Sequence, residues 1–293
     1  MSSVPDTASA AAPVGIAPSG GAPLNRALLV VSAILVAYVL TGLLAPYLVG
    51  DYISMNPASR LKPPGPEHWF GTDQLGRDIF GRTMVGTGNS LLVGGSVALL
   101  TTVIGTAIGL FAGYFRMGEW LIMRLMDGMM SIPSVLLAIA LAALIGSGLG
   151  TVIIAITITE IPRMVRLVRS VVLTLKEQPY VVAAVSLGSR TWKILLLHIL
   201  PNAIGTLSVQ ATYVCASAII TEAVLSFLGI GSTPDSPSWG TIMSQGRVYF
   251  QLAPWVLFFP GLMLSVLVLS VNILGDTLRD TLDPRLRKMG ADR

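Results

Sequence analysis

Residues 90–115 read SLLVGGSVALLTTVIGTAIGLFAGYF, a run without a single charge in which Gly105, Gly109 and Gly113 recur every fourth position. The run exceeds the roughly 20 apolar residues that a helix needs to cross a bilayer. Glycines spaced by four fall on one helix face and let a second helix approach closely. Composition agrees with a membrane. Of 293 residues, 53% are hydrophobic and only 12% are charged, and mean hydropathy is +0.74. A soluble domain carries about 25% charge, so this chain cannot coat itself for water and lipid is its main solvent. That excludes a soluble enzyme, a disordered protein and a collagen-like chain. Cys215 is the only cysteine, which excludes a disulfide scaffold and reads as a buried, inert thiol.

Working outward, five more runs have membrane character. Residues 27–49 and 252–275 are charge-free; the run from Glu119 is amphipathic and becomes apolar over 128–146. Residues 148–170 gather Glu160, Arg163, Arg166 and Arg169 toward their end, and 203–230 hold one acid, Glu222. None alternates with period two, as a barrel strand would. The expectation is an all-α fold, a polytopic membrane helical bundle of six transmembrane helices. Residues 1–25, rich in Ala, Ser, Pro and Gly, predict a disordered cytoplasmic tail rather than a signal peptide. With the N-terminus inside, 14 of the 19 Lys and Arg residues fall on inner segments and 5 on outer ones. This positive-inside bias puts both termini in the cytoplasm. It also accounts for the net charge of +4 without nucleic acid.

Catalytic equipment is missing from the sequence. His68 and His198 are the only histidines and neither is mid-span; there is no HExxH and no GxSxG. One cysteine builds no thiolate metal site. The lysines follow Leu61, Leu175, Trp192 and Arg287, so no Gly-Lys pair cradles a phosphate. No catalytic, cofactor-binding or metal residue is expected, and any ATP must be used by another subunit.

Two segments are too long for plain connectors. The internal one, 175–202, reads LKEQPYVVAAVSLGSRTWKILLLHILPN. Its Ala183, Ala184, Gly188 and Pro201 suit a short helix, a tight turn and a second helix, which either enters a partner's groove or lies on the lipid surface. The external one, 50–88, contains GTDQLGRDIFGR at 71–82. Its Gly71, Asp73, Gly76, Arg77 and Asp78 form either a self-paired cap or a contact for another protein. Among in-span acids, Asp127 can pair with Arg124 and Glu160 with Arg163. Glu222 has no basic residue in its span, leaving pathway lining or interhelical structure open. Pro133 and Pro260 are expected kinks.

Taken in order, these strings resemble the inner-membrane permeases of ATP-binding-cassette importers, and within them the C-type permease of the dipeptide/oligopeptide/nickel group. The segment 175–202 resembles that family's coupling loop through Ala183, Ala184, Gly188 and the ending His198-Ile199-Leu200-Pro201-Asn202, with Val182 where the family has glutamate. GTDQLGRD, MRLMDGMMSIPSVLLAIAL (123–141), ITEAVLSFLGIG (220–231), PSWGTIMSQGR (237–247), APW (253–255), FPG (259–261) and LGDTLRDTLDPR (274–285) match further landmarks. The resemblance implies a type I importer transmembrane domain over 86–276, preceded by a first helix and external region at 26–85 and followed by a cytoplasmic tail at 277–293. It implies a homologous B-type permease, two ATPase subunits or domains, an extracytoplasmic solute-binding protein and a peptide-like substrate. Nickel and glutathione importers belong to the same group. An ion-coupled secondary transporter is the reading from another class; the absence of an inverted repeat and the coupling loop count against it.

The charge asymmetry makes a prediction. In a Cys215→Ser background, Arg60→Cys should react with a membrane-impermeant thiol reagent in intact cells. Tyr180→Cys should react only after permeabilisation. The reverse pattern would invert the topology.

Overall fold

The computed structural model describes residues 22–231 and 236–282. Among them there is no strand, only an isolated bridge between Thr72 and Asp78. The long helices are α1 (Ala22–Leu48), α2 (Ile79–Tyr114), α3 (Arg116–Met130), α4 (Ser134–Ile145) and α5 (Leu149–Leu175). After α6 (Pro179–Ser186), the short α7 (Thr191–Lys193) leads through a π-helical stretch, Ile194–Ile199, into α8 (Leu200–Phe227). Then come α9 (Trp239–Gly246) and α10 (Trp255–Leu282).

The glycine stripe decides the first contact. A Cβ on Gly105 would lie 2.5 Å from Met164 Cγ, on Gly109 2.5 Å from Val168 Cβ, and on Gly113 2.7 Å from Val172 Cβ. Both series rise together, so α2 and α5 are parallel and their backbones touch. α8 runs the other way along α2, with Gly94 against Ile219 and Ser90 level with Glu222. α1 also opposes α2, Gly42 against Gly88, and is tied to α10 by the Tyr38 hydroxyl donating to the Met263 carbonyl at 2.8 Å. These pairings carry the chain six times between two ends of one bundle: α1, α2, the α3–α4 pair, α5, α8 and α10.

Hydropathy alone recovers fewer crossings. Leu28–Leu48, Ile79–Tyr114, Thr191–Phe227 and Trp255–Thr281 are long and apolar enough to cross alone, and the α3–α4 pair, bent by 93°, makes a fifth only as a broken span. α5, 27 residues long, carries Glu160, Arg163, Arg166 and Arg169 and is not among them. Packing, with Val165, Val168 and Val172 fully buried, holds it in the bundle. The break at Ser131–Pro133 matches the expected kink: Pro133 caps α4, and the Ser131 hydroxyl donates to the Gly128 carbonyl at 2.7 Å. Pro260 lies inside α10, which is unbroken.

Two boundaries move. α1 begins at Ala22, inside the stretch read as a disordered tail, with Pro23 in its first turn where no backbone donor is needed. α10 continues to Leu282, so 277–282 extend the last helix instead of opening a tail. Arg279 sits in its final turn, where a cation complements the helix dipole. The remainder of both expected tails, 1–21 and 283–293, lies outside the described residues.

The core forms three clusters. The largest joins α2, α4, α5 and α8 and takes in Val181, Ile194 and Ile199 from the segment between α5 and α8. A second surrounds Trp239, Ile219 and Leu267, and the third packs Ile79, Ile242, Ala253 and Val256 beneath residues 50–78.

Substituting Gly109→Val should force α2 from α5 and destabilise the bundle by about 1–3 kcal/mol, the usual penalty of overpacking. Gly95→Val, where no atom lies within 4 Å of the added Cβ, should be neutral. Thermal unfolding of the two proteins in detergent tests this.

Candidate functional site

The segment after α5 forms a compact knuckle. Lys176, Glu177 and Gln178 turn the chain, and Pro179 opens α6 at a position where a missing N–H costs nothing. Val181 and Ala184 are buried at 1% and 8% exposure, while Tyr180, Val182, Val185 and Leu187 stand 41–86% exposed. Of the two expected coupling alanines, Ala183 faces out and Ala184 faces the bundle. Gly188 ends the helix at φ +72. Its N–H donates to the Val185 carbonyl at 2.9 Å and that of Ser189 to the Ala184 carbonyl at 3.1 Å, the two bonds of a Schellman cap. No atom lies near its missing side chain, so conformation alone, worth about 1–2 kcal/mol, demands glycine there.

His198 and Pro201 shape the return path. Pro201 has no N–H for the Leu197 carbonyl, and the chain widens into the π-helical stretch just before it. The Asn202 amide donates to the His198 carbonyl at 2.6 Å, and His198 Nδ1 lies 3.4 Å from the Lys193 carbonyl.

In the 50–78 segment the charges close on one another. Asp73, fully buried, accepts from Arg77 Nε at 2.8 Å and Arg82 Nη1 at 2.6 Å. Its Oδ1 also accepts from the backbone N–H groups of Leu75 and Arg77. Gln245 of α9 accepts from both arginines, at 2.8 and 2.9 Å. Asp78 caps α2, accepting from the Gly81 N–H at 2.8 Å, with His68 Nδ1 at 3.1 Å. Gly71 and Gly76 take φ +74 and +75, and a Cβ on Gly76 would fall 1.8 Å from the Asn56 carbonyl oxygen. Asp73 and Arg77 thus present almost no surface for docking; they brace 50–78 against α9. Nothing in the sequence flagged Gln245, which lies 168 residues from Arg77.

The in-span acids divide. Glu160 pairs with Arg163 at 3.4 Å and accepts from the Ser217 hydroxyl at 3.0 Å. Asp127 does not take Arg124; it pairs with Arg166 of α5 at 2.6 Å. Order explains the contrast, since acid before base along a helix is the better arrangement. Glu160 precedes its arginine, whereas Asp127 follows Arg124. Glu119, which was not singled out, binds Arg169. Glu222 is fully buried, accepting from Ser226 at 2.7 Å with Ser90 at 3.5 Å. Here it ties α8 to α2 and lines no open space.

Comparison with known proteins agrees with this architecture. The family described as "binding-protein-dependent transport system inner membrane component" matches residues 105–288. A probable peptide ABC transporter permease of Sinorhizobium fredii is 50% identical over 249 residues, 85% of this chain and 86% of that protein. The dipeptide transport system permease protein DppC of Alkalihalophilus pseudofirmus is 42% identical over 267 residues, 90% of this chain and 87% of the relative. The methionine ABC transporter MetNI, solved in an inward-facing form, shares the fold at 20% identity with a TM-score of 0.56, over 68% of this chain and 94% of the matched one. The chain belongs to this family of inner-membrane transport components: it is a non-catalytic permease subunit with the type I transmembrane fold.

Asp73→Asn should leave two buried guanidinium groups without a counter-charge, a loss of about 3–5 kcal/mol. It should release the 50–78 segment to limited proteolysis, while exposed Arg60→Ala should not. Equal protease resistance in both variants would refute the bracing role.

Proposed function

We propose that this chain is one of two homologous permeases forming the pathway of a peptide importer in a prokaryotic cytoplasmic membrane. Both termini and α6 face the cytoplasm, and residues 50–78 with α9 face outward, where a solute-binding protein delivers its cargo. Peptide and dipeptide permeases as similar as those above support a peptide-like solute. Two ATPase subunits or domains supply the energy, because no phosphate-cradling loop exists in this sequence.

The observation that carries the proposal is the outer face of α6. Tyr180, Val182, Val185 and Leu187 stand exposed on a short helix clamped from behind by Val181 and Ala184. A rigid apolar ridge of this kind suits a groove on another protein. With Val182 at the position of the family's glutamate, the ridge offers an apolar contact in place of an ionic one. ATP-driven closure of the docked ATPases pushes α6, the bundle reorients, and solute released outside passes inward. Ala183 lies on the docking side, Ala184 and Gly188 fix the ridge, and His198 and Pro201 shape its return. The bracing of Gly71, Asp73, Gly76, Arg77 and Asp78 keeps the outer surface in register.

Placing two acids on the ridge, Val185→Asp with Leu187→Asp, should lower ATPase copurification and ATP-dependent uptake at least tenfold. Insertion and pairing with the sister permease should persist. Val248→Asp, exposed near α9, should copurify normally. ATPase retention by the double variant would sink the docking role.

A further inference from the structure

Beside Arg163, α8 carries a stripe that lipid would not select. Thr206, Gln210, Tyr213, Ser217 and Thr221 recur at helical spacing along one side and are each exposed or half-buried. Ser217 joins this stripe to α5 by donating to Glu160, whose other oxygen lies 3.4 Å from Arg163 Nη1. The exposed positions of α5 beside it are Arg163, Arg166 and Ser170. Arg166 is taken by Asp127. Arg163 is different: its side chain is 54% exposed, while that of its one acidic partner is only 4% exposed. A guanidinium carries five N–H donors, and Glu160 is the one acidic partner of this one among the described residues.

A charged side chain on this face is unsuited to lipid. Arg163 stands 14 residues into a helix of 27, about 21 Å along it at 1.5 Å per residue. A cation there must face water or another polar group. A permanent helix–helix interface in a membrane favours small, closely packed side chains, with Ser, Thr or Gln bonding across it. Here the long side chains of Gln210 and Tyr213 stand half-buried or exposed beside an outward cation, an arrangement that suits a solute that passes and leaves. With Glu160 buried behind it, Arg163 presents a positive charge whose complement is a carboxylate, while at the far side of the stripe the exposed Asp276 of α10 is taken by the Tyr213 hydroxyl.

We propose that the α5–α8 face is a wall of the solute pathway and that Arg163 transiently binds the C-terminal carboxylate of the peptide in transit. Glu160, held by the Ser217 hydroxyl, positions its guanidinium, and Thr206 and Gln210 of the α8 stripe offer hydrogen bonds to the peptide backbone. The inference rests on the importer reading above and names the group by which the pathway reads its solute.

The test uses the assembled transporter in proteoliposomes, with its solute-binding protein outside. The probes are a defined mixture of di- and tripeptides and the same mixture amidated at the C-terminus, both quantified by mass spectrometry. Arg163→Gln should reduce the acid-to-amide uptake ratio at least tenfold relative to the unsubstituted transporter, and Arg163→Lys should retain most of it. The binding protein is common to all, so its own preference cancels. In a Cys215→Ser background, Arg163→Cys should react with a water-soluble anionic methanethiosulfonate. An unchanged ratio in Arg163→Gln would overturn the proposal. So would an unreactive position 163 in the assembled complex, which would mean that the sister permease covers it. If the unsubstituted transporter takes up no peptide, the importer reading itself fails, an outcome distinct from both.

Discussion

The close approach of α2 and α5 is the contact on which the other features depend. In lipid, apolar side chains gain little by leaving their surroundings, so helices associate through fit. Gly105, Gly109 and Gly113 provide that fit, receiving Met164, Val168 and Val172 in turn. Those three residues become fully buried. α5 needs this clamp more than any other long helix, because its charges deprive it of the hydropathy that would hold it in the membrane unaided. Fixing Met164, Val168 and Val172 against α2 also fixes the rotation of α5. Arg163, Arg166 and Ser170 are thereby left on an uncovered side, and the C-terminus of α5 delivers α6 to the end of the bundle.

The interior handles its acids in three ways, each suited to position. Asp73 sits at the end of the bundle beneath residues 50–78 and holds two arginines and two backbone N–H groups, saturating a buried carboxylate. Glu160 has one arginine and one hydroxyl, and the pair presents its cation outward. Glu222 has hydroxyls alone. Breaking a buried ion pair leaves a stranded charge, whereas a hydroxyl contact is worth about 1 kcal/mol. Asp73 is accordingly built into a permanent brace, while Glu222 joins α8 to α2 with bonds that are individually weak.

Much of this was legible in one dimension. Run lengths foretold the six passes, the four-residue glycine spacing foretold a close helix contact, and acid-before-base order marked Glu160 with Arg163. The small residues and Gly188 foretold the helix–turn–helix at 175–202. What escaped depends on distance in sequence or on register. Asp127 looked to Arg124 because only α3 was in view, yet its partner comes from α5, 39 residues on. Gln245 offers no local signal at all. The inward turn of Ala184 and the outward turn of Ala183 follow from which residue of an eight-residue helix meets Ile194 and Ile199. The last helix outran its apolar stretch because charges end a hydropathic run without ending a helix.

Rigidity and give are distributed unevenly through the bundle. Three residues, Lys176, Glu177 and Gln178, join α5 to α6, and Val181 packs in the same cluster as Val172, Ile194 and Ile199. A push on α6 is therefore a push on α5. Sliding α5 along α2 would lift each side chain out of its glycine notch and across about 6 Å to the next, four residues away, so the pair moves as one body. The give lies elsewhere. α3 and α4 meet at 93° around Pro133, where the helical hydrogen-bond ladder is already interrupted. Close to that joint, Asp127 and Arg166 form an ion pair that is 57% and 49% exposed. Where water reaches such a pair it contributes at most about 1 kcal/mol, so it can open and reform at little cost. The break that spoils α3–α4 as a single straight span thus gives a bundle locked at α2–α5 one place to bend.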